Sequence, residues 1–370
     1  MTLEINGQPT NINISDYFEV RQTQYGRACF AKKDIPKGVD VLVSNTPFTH
    51  VILHEFRKEV CASCFHYEFG KYCKVKISSL PNMTKKNFKG AGLWFCSESC
   101  KETWLQYDNT GELTEAFETF LEYFQMKAKT QIEETDYSPK ITQEFIENYW
   151  KDINEWDEKI TKMKKSKTYS KLPFLNEDEY TGARFIIHAL FDIYKKHESL
   201  PLFNELQSNE LQKTSRFPVL LRSQGLIYQF LRIVLPDYLQ PFLTTDSLRM
   251  IFGREYGNSF GIWQLVDEGS NENKEFLGYC LFPEASFFNH SCSPNLKKFR
   301  KGNRMIFQTT KDVETGQQMC IDYFHILDEP LLVRQQTLSK NWFFDCACDR
   351  CSKELKTENC QVKPPLEQIY

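Results

Sequence analysis

The chain has 370 residues, 41% of them hydrophobic and 26% charged, with a net charge of -3. That length can bury a sizeable core and leaves room for two or three domains. The near-neutral balance argues against a whole-molecule nucleic-acid clamp.

The N-terminal "MTLEINGQPTNINISDYFEV" lacks a basic start followed by an apolar run, so no secretory signal is read there. Residues 16–56 read as short strands. "YGRACFAKKDIPKGVDVL" sets a Gly-centred turn, an apolar strand, a Pro-Lys-Gly turn and a second strand in order. Residues 57–105 hold five cysteines among small and basic residues, which suggests a small core stapled by metal. From 106 to 250 the pattern is helical. Phe117, Phe120, Leu121 and Phe124 fall at helical spacing. Phe145, Tyr149, Trp150, Ile153, Trp156 and Ile160 form a second stripe. "ARFIIHALFDIYKK" is apolar over most of its circumference and reads as buried. The basic run at 159–171 reads as a solvated face. "GLIYQFLRIVL" (residues 225–235) is too short and interrupted to span a bilayer. Residues 251–345 return to short strands, "RMIFQTT" and "QMCIDYF" among them, and 353–370 read as a tail.

A reducing compartment, cytoplasm or nucleus, is therefore expected. There, the 13 cysteines are metal ligands or buried thiols rather than disulfides. Cys61 and Cys64 form C-x2-C, and Cys96 and Cys100 form C-x3-C. A tight turn can aim two thiolates at one ion, so the two pairs close one tetrahedral zinc site. Ser97 can cap a helix with Cys100 in its first turn. Cys73 has no companions, so one zinc is expected in this region. Cys346, Cys348 and Cys351 form C-x-C-x2-C and lack a fourth ligand. Cys29, Cys73, Cys280, Cys320 and Cys360 read as buried thiols.

Four ordered segments, "YGRACFA", "NHSC", "GQQMCIDY" and "CACDRC", with a cysteine-rich insertion after the first, resemble a SET-domain protein-lysine methyltransferase of the SET-and-MYND type. The pattern suits a small fungal member. The chain ends 19 residues after Cys351, so the C-terminal helical domain of larger members is expected to be absent. The resemblance covers residues 16–105 and 251–352. It implies an α+β SET fold: small β-sheets with a pseudoknot, a zinc insertion at 57–105, a helical insert at 106–250, a C-terminal SET core at 251–330 and a post-SET zinc motif at 331–352.

Cys292 would complete the second zinc site with Cys346, Cys348 and Cys351. The resemblance assigns S-adenosylmethionine contacts to Gly26, Arg27, Asn258, Ser259, Asn289, His290, Tyr323 and Phe344. It assigns the substrate channel to Ser286 and Trp342, and the active-site tyrosine to Tyr323. Ala28 replaces the second glycine of the family's cofactor loop, and its methyl would narrow that site. His325 reads as a turn residue rather than a base. The implied activity is S-adenosylmethionine-dependent methyl transfer to lysines of a protein substrate, by a monomer with no membrane or strong nucleic-acid partner and with two structural zinc ions. The competing reading is a weak or inactive SET scaffold that binds a protein through its zinc insertion. Ala28 favours the scaffold, and intact NHSC and Tyr323 favour the enzyme.

Overall fold

The computed structural model describes residues 8–80, 88–127, 137–265 and 274–357. Its strands in chain order are β1 (Gln8–Pro9), β2 (Phe18–Thr23), β3 (Gly26–Ala31), β4 (Asp40–Ser44), β5 (Thr49–Ile52), β6 (Ser259–Trp263), β7 (Phe276–Leu281), β8 (Asn289–His290), β9 (Leu296–Lys301), β10 (Arg304–Thr309) and β11 (Gln318–Ile321). Its helices are α1 (Glu98–Tyr107), α2 (Glu112–Lys127), α3 (Gln143–Thr161), α4 (Lys165–Thr168), α5 (Glu177–Tyr194), α6 (Leu200–Glu205), α7 (Glu210–Arg216), α8 (Val219–Val234), α9 (Thr245–Asn258), α10 (Leu331–Trp342) and α11 (Asp349–Thr357). No helix among the described residues is long and apolar enough to cross a membrane.

The chain divides into two compact units. One takes residues 1–46, 202–206 and 282–370; the other takes 47–201 and 207–281. Residues 47–56 and 251–281, read from sequence as SET core, thus pack in the same unit as the helices.

In the first unit, β1-β2-β3-β11-β8 form one sheet and β4-β10-β9 another. The β2–β3 hairpin turns at Gly26, whose φ of +99° favours glycine. Thr23 closes the turn: its hydroxyl accepts from Tyr25 N (3.1 Å) and donates to Gly26 O (2.7 Å). A two-residue loop beginning at Gly302 (φ +64°) joins β9 to β10, as tight hairpins require. The topology depends on β11, which pairs antiparallel with β3 and parallel with the two-residue β8. Buried Asn295 secures this junction. Its side chain accepts from Cys320 N (2.8 Å) and donates to Gln318 O (2.9 Å).

Two features here differ from the sequence reading. Within 251–345, read from sequence as a return to short strands, α9 runs on to Asn258 and residues 331–342 form a helix, α10, because the Leu331, Arg334 and Leu338 positions repeat at helical spacing. The expected tail begins as the last turns of α11, which runs to Thr357; residues 358–370, with Cys360, lie outside the described residues.

In the second unit, β5-β7-β6 form a three-stranded sheet beside the helices. An Asn176–Glu179 capping box starts α5, satisfying end groups the helix cannot pair itself. That helix is buried continuously from Glu179 to Asp192, as its apolar circumference implies. On α2, Phe117, Phe120, Leu121 and Phe124 are all buried. On α3 the buried face is Ile146, Trp150, Ile153 and Ile160, so the stripe is rotated toward Ile146, and Phe145, Tyr149 and Trp156 are only half-buried. The basic run at 159–171 is mostly exposed.

Two histidine rings meet inside this unit. His50 and His188 stand edge to face at 4.6 Å, and His50 Nε2 lies 3.3 Å from Ala62 O. Burial pushes the His50 imidazole down to about 4 and lowers His188 as well. The unfolded chain binds these protons near the ordinary value of about 6.5, so between pH 6.5 and 4 it binds more protons than the folded chain. Stability from His50 is present above that window and is lost as pH falls through it. Burial raises the nearby Asp192 carboxyl, which acts in the opposite sense. The contribution of His50 is therefore isolated by comparing urea midpoints of wild type and His50→Gln. The difference between the two should shift against wild type as pH is lowered from 6.5 to 4; a constant difference would contradict a neutral buried His50.

Candidate functional site

The parallel β8–β11 pair brings the "NHSC" segment beside the strand leading to Tyr323: Asn289 stands opposite Cys320 and His290 opposite Ile321, and Ser291 N donates to Ile321 O (3.0 Å). Every neighbouring contact depends on this alignment. Asn289 Nδ2 donates to Arg27 O (2.9 Å), which ties β8 to the Gly26 bend. The Arg27 guanidinium lies over the Phe287 ring at 5.3 Å and pairs with Glu205 (3.1 Å). On the Gly26 side, a Cβ would meet no atom within 4 Å, so the bend borders open space.

Both His290 nitrogens are engaged. Nδ1 accepts from Tyr323 N (3.2 Å), and Nε2 lies 3.3 Å from Cys292 Sγ. The first contact makes Nδ1 the acceptor, which leaves the proton on Nε2, directed at the sulfur. Burial lowers the imidazole to about 4, so the ring is neutral.

The Tyr323 hydroxyl donates to Phe288 O (3.0 Å). Its phenol is raised, chiefly by burial, and stays protonated near neutral pH. With its proton committed to a carbonyl, the phenol oxygen can only accept from an incoming group. Three rings surround it: Trp342 at 5.3 Å, His290 at 5.4 Å and Phe344 at 6.4 Å. Phe343 makes this possible by taking a left-handed conformation (φ +64°) at the end of α10, which turns the chain between Trp342 and Phe344. Lys298 Nζ donates to Tyr323 O (3.0 Å), and burial pushes this amine down to about 8.

The cysteines form two tight groups. In each set, Cys61, Cys64, Cys96 and Cys100 or Cys292, Cys346, Cys348 and Cys351, the four sulfurs lie within 4.8 Å of one another and could hold a metal ion. A tetrahedral ion with metal–sulfur bonds of about 2.3 Å needs sulfurs about 3.8 Å apart. Observed separations are 3.6 Å (Cys64–Cys96), 3.5 Å (Cys96–Cys100), 4.0 Å (Cys292–Cys346) and 3.5 Å (Cys292–Cys351), so both sets fit. The Cys64 thiol and then backbone N–H groups pull Cys61 down, while the same pairing and burial push Cys64 up, so the two thiols share one proton between them. Ser97 caps α1 and accepts from Cys100 N, as its position in the sequence implied. Cys73 stays outside the first set and lies 3.6 Å from Glu59 O. Cys29 and Cys280 are buried thiols, and Cys320 is half-buried.

A sequence model of the SET domain matches residues 26–324. The chain belongs to the SET-domain family. Over 93% of its length, and 97% of the other's, it is 44% identical to the potential protein lysine methyltransferase SET6 of Saccharomyces cerevisiae. A SET and MYND domain-containing protein of Dictyostelium discoideum is 35% identical over 29% of this chain and 26% of that protein. The histone-lysine N-methyltransferase SMYD3 of Mus musculus is 28% identical over 47% of this chain and 39% of its own length. This SET-domain chain thus matches SET6 almost end to end and spans well under half of the other two. Among solved structures, the SET domain of LSMT bound to lysine and AdoHcy aligns at 13% identity and a TM-score of 0.27, covering 90% of this chain and 54% of that one.

Within the SET fold, the first unit gathers Gly26, Arg27, Asn289, His290, Tyr323, Trp342 and Phe344. Ser286 is in the same unit, where its hydroxyl donates to Phe282 O (3.0 Å). Asn258 and Ser259 belong to the other unit. Asn258 Nδ2 donates to Arg254 O (2.7 Å) and Gln207 O (3.0 Å), and the buried Ser259 Oγ has no hydrogen-bond partner among the described residues. Ala28 is 1% exposed and lies in ordinary strand geometry opposite Arg21. His325 is an exposed turn residue.

The sequence reading passed over Asn295, Lys298, Arg334 and Gln335. A usable signal existed for Arg334, which interrupts the Leu331–Leu338 apolar face of an amphipathic helix. Asn295 had none beyond its place after a Ser-Pro turn. Asn295→Ala would strand two half-buried backbone groups, Cys320 N–H and Gln318 C=O, at the β8–β11 junction. At roughly 1–3 kcal/mol for each unsatisfied group, the loss should fall in the lower part of about 2–6 kcal/mol in denaturant titration, because both residues are half-buried, and still exceed an ordinary surface substitution.

Proposed function

We propose that this protein transfers methyl groups from S-adenosylmethionine to lysine side chains of a protein substrate. The observation that carries this is Tyr323, a half-buried residue whose protonated phenol gives its hydrogen to Phe288 O and whose ring is flanked by Trp342 and Phe344 in a SET-domain chain. The near full-length similarity to a potential protein lysine methyltransferase supports the same reading.

Gly26, Arg27, Asn289, His290, Tyr323 and Phe344 would hold the cofactor. Contacts from His290 would come from its main chain, because both ring nitrogens are occupied. The Asn289 amide, with its nitrogen committed to Arg27 O, offers its oxygen as an acceptor. Asn258 and Ser259 rest on the family resemblance alone. S-adenosylmethionine supplies an electrophilic methyl on a cationic sulfur.

The chain's own residues then have three tasks. An incoming lysine must be neutral to attack, although a free lysine titrates near about 10.4. The rings of Trp342, Tyr323 and Phe344 exclude water, and that desolvation lowers the amine's pKa. Tyr323 orients the amine and the methyl through its oxygen, by a hydrogen bond and weak C–H···O contacts. It does not remove the proton, since burial keeps its phenol neutral and un-ionised. Ser286 and Trp342 would line the path of the lysine. The eight clustered cysteines would hold two zinc ions. Four thiolates leave zinc no open position, so both ions are structural. Their placement supports folding rather than the chemical step.

Metal analysis of purified protein should return two zinc ions per chain; one or three would sink the ligand assignment. Tyr323→Phe keeps the ring and removes one hydroxyl. It should leave stability within about 1 kcal/mol of wild type, change cofactor affinity little in calorimetry, and slow methyl transfer to labelled acceptor protein about a hundredfold, or roughly 3 kcal/mol. Undiminished transfer would place the active centre elsewhere. No cofactor binding by wild type would instead support a scaffold.

A further inference from the structure

We propose that Arg334 is a positioning residue of the C-terminal metal site, acting as a buried outer donor that fixes the sulfurs of Cys292 and Cys351 for metal retention. This rests on the reading of the four cysteines as a zinc site.

Arg334 is 1% exposed, among the largest fully buried side chains of the protein. A guanidinium in that position is costly unless its N–H groups and its charge are met. The structure meets them with the cysteine cluster. Nε donates to Cys292 Sγ (3.3 Å), and Nη2 lies 3.8 Å from Cys351 Sγ. Nη1 donates to Glu329 O (2.6 Å), and Glu354 on α11 closes an ion pair with Nη2. Glu354 is held in turn by Arg350, whose Nη1 donates to Cys292 O (3.1 Å) and Leu327 O (2.7 Å). The neighbouring Gln335 serves the third ligand: its amide accepts from Cys346 N (2.8 Å) and donates to Cys346 O (2.7 Å). One turn of α10 therefore fixes Cys292, Cys346 and Cys351, and α11 locks that turn in place.

The acceptors indicate what the arginine is for. A neutral thiol accepts weakly, whereas a thiolate is a strong acceptor for a charged donor. Four thiolates around a divalent ion carry a net charge of -2, and a buried guanidinium against two of them offsets half of it. The planar fork also suits two sulfurs at once, which a lysine ammonium cannot match as a point charge. Outer-shell partners of this kind commonly govern metal affinity by roughly 10–100-fold.

The test uses zinc-loaded full-length protein and a chromophoric chelator in excess. Wild type should release two zinc ions in distinguishable phases. Arg334→Met should speed one phase about 10–100-fold and leave the other, from Cys61, Cys64, Cys96 and Cys100, unchanged. Arg334→Lys, which keeps charge but not the fork, should fall between. Glu354→Gln, which frees the guanidinium from its counter-charge, should shift the same phase less. Unchanged release from Arg334→Met overturns the proposal, and so does equal acceleration of both phases, which would mark general loss of structure. If Arg334→Met does not fold, Arg334→Lys decides: release like wild type overturns the proposal, and selective acceleration supports it. Fewer than two zinc ions in wild type would instead refute the metal reading itself, and no comparison of variants is needed to see that.

Discussion

The short parallel pairing of Asn289–His290 with Cys320–Ile321 is the constraint on which the candidate site depends. Two residues of strand are too few to be stable by themselves. The pairing is held instead by side chains at its edges: Asn289 to the Gly26 bend, Asn295 to both Cys320 and Gln318, and His290 to Tyr323 N. Each of these satisfies backbone groups that a longer ladder would otherwise pair. The site thus sits where regular structure is thinnest and is made rigid by polar side chains.

Cys292 Sγ carries that rigidity onward. It faces His290 on one side and Arg334 on another, both at 3.3 Å, and lies among three more cysteine sulfurs. A chain of contacts therefore runs from Glu354 through Arg334 and Cys292 to His290 and the main chain of Tyr323. The C-terminal cysteine motif does more than terminate the fold, because one of its four sulfurs belongs to the segment that holds the tyrosine. The aromatic wall has the same origin. Trp342 ends α10, Phe343 reverses the chain, and Phe344 begins the approach to Cys346.

The second unit answers a different demand. Its helices α2 and α5 bury nearly continuous apolar surface, and polar groups admitted to that interior are satisfied locally. Glu118 accepts from Lys89 N and Ala91 N, while Arg184 donates to Ala91 O and stacks on Phe117 at 3.9 Å. These contacts clamp the chain just before Cys96, so the first cysteine cluster is braced by buried helices as well as by its own sulfurs.

How much of this was legible in the sequence follows from how local each signal is. C-x2-C, C-x3-C and C-x-C-x2-C mark sulfurs that turns of that length can aim at one point, whereas the fourth sulfur beside the last trio, Cys292, was named by the family resemblance and not by spacing. The stripe on α2 and the all-round apolar face of α5 fix burial by periodicity. Gly26 and the segments NHSC and "CIDYF" marked the family and the tyrosine. Other features required the tertiary structure. That Arg334 lies inside, with sulfur acceptors, depends on the angle at which α10 meets a cluster assembled from residues 292 and 346–351. That His290 spends both ring nitrogens within the protein depends on the register of β8 against β11. The use of Asn295 as a clip between Cys320 and Gln318 does too. A sequence records which donors and acceptors a chain owns. Which ones meet is decided by contacts between residues far apart along it, and only the folded packing sets those distances.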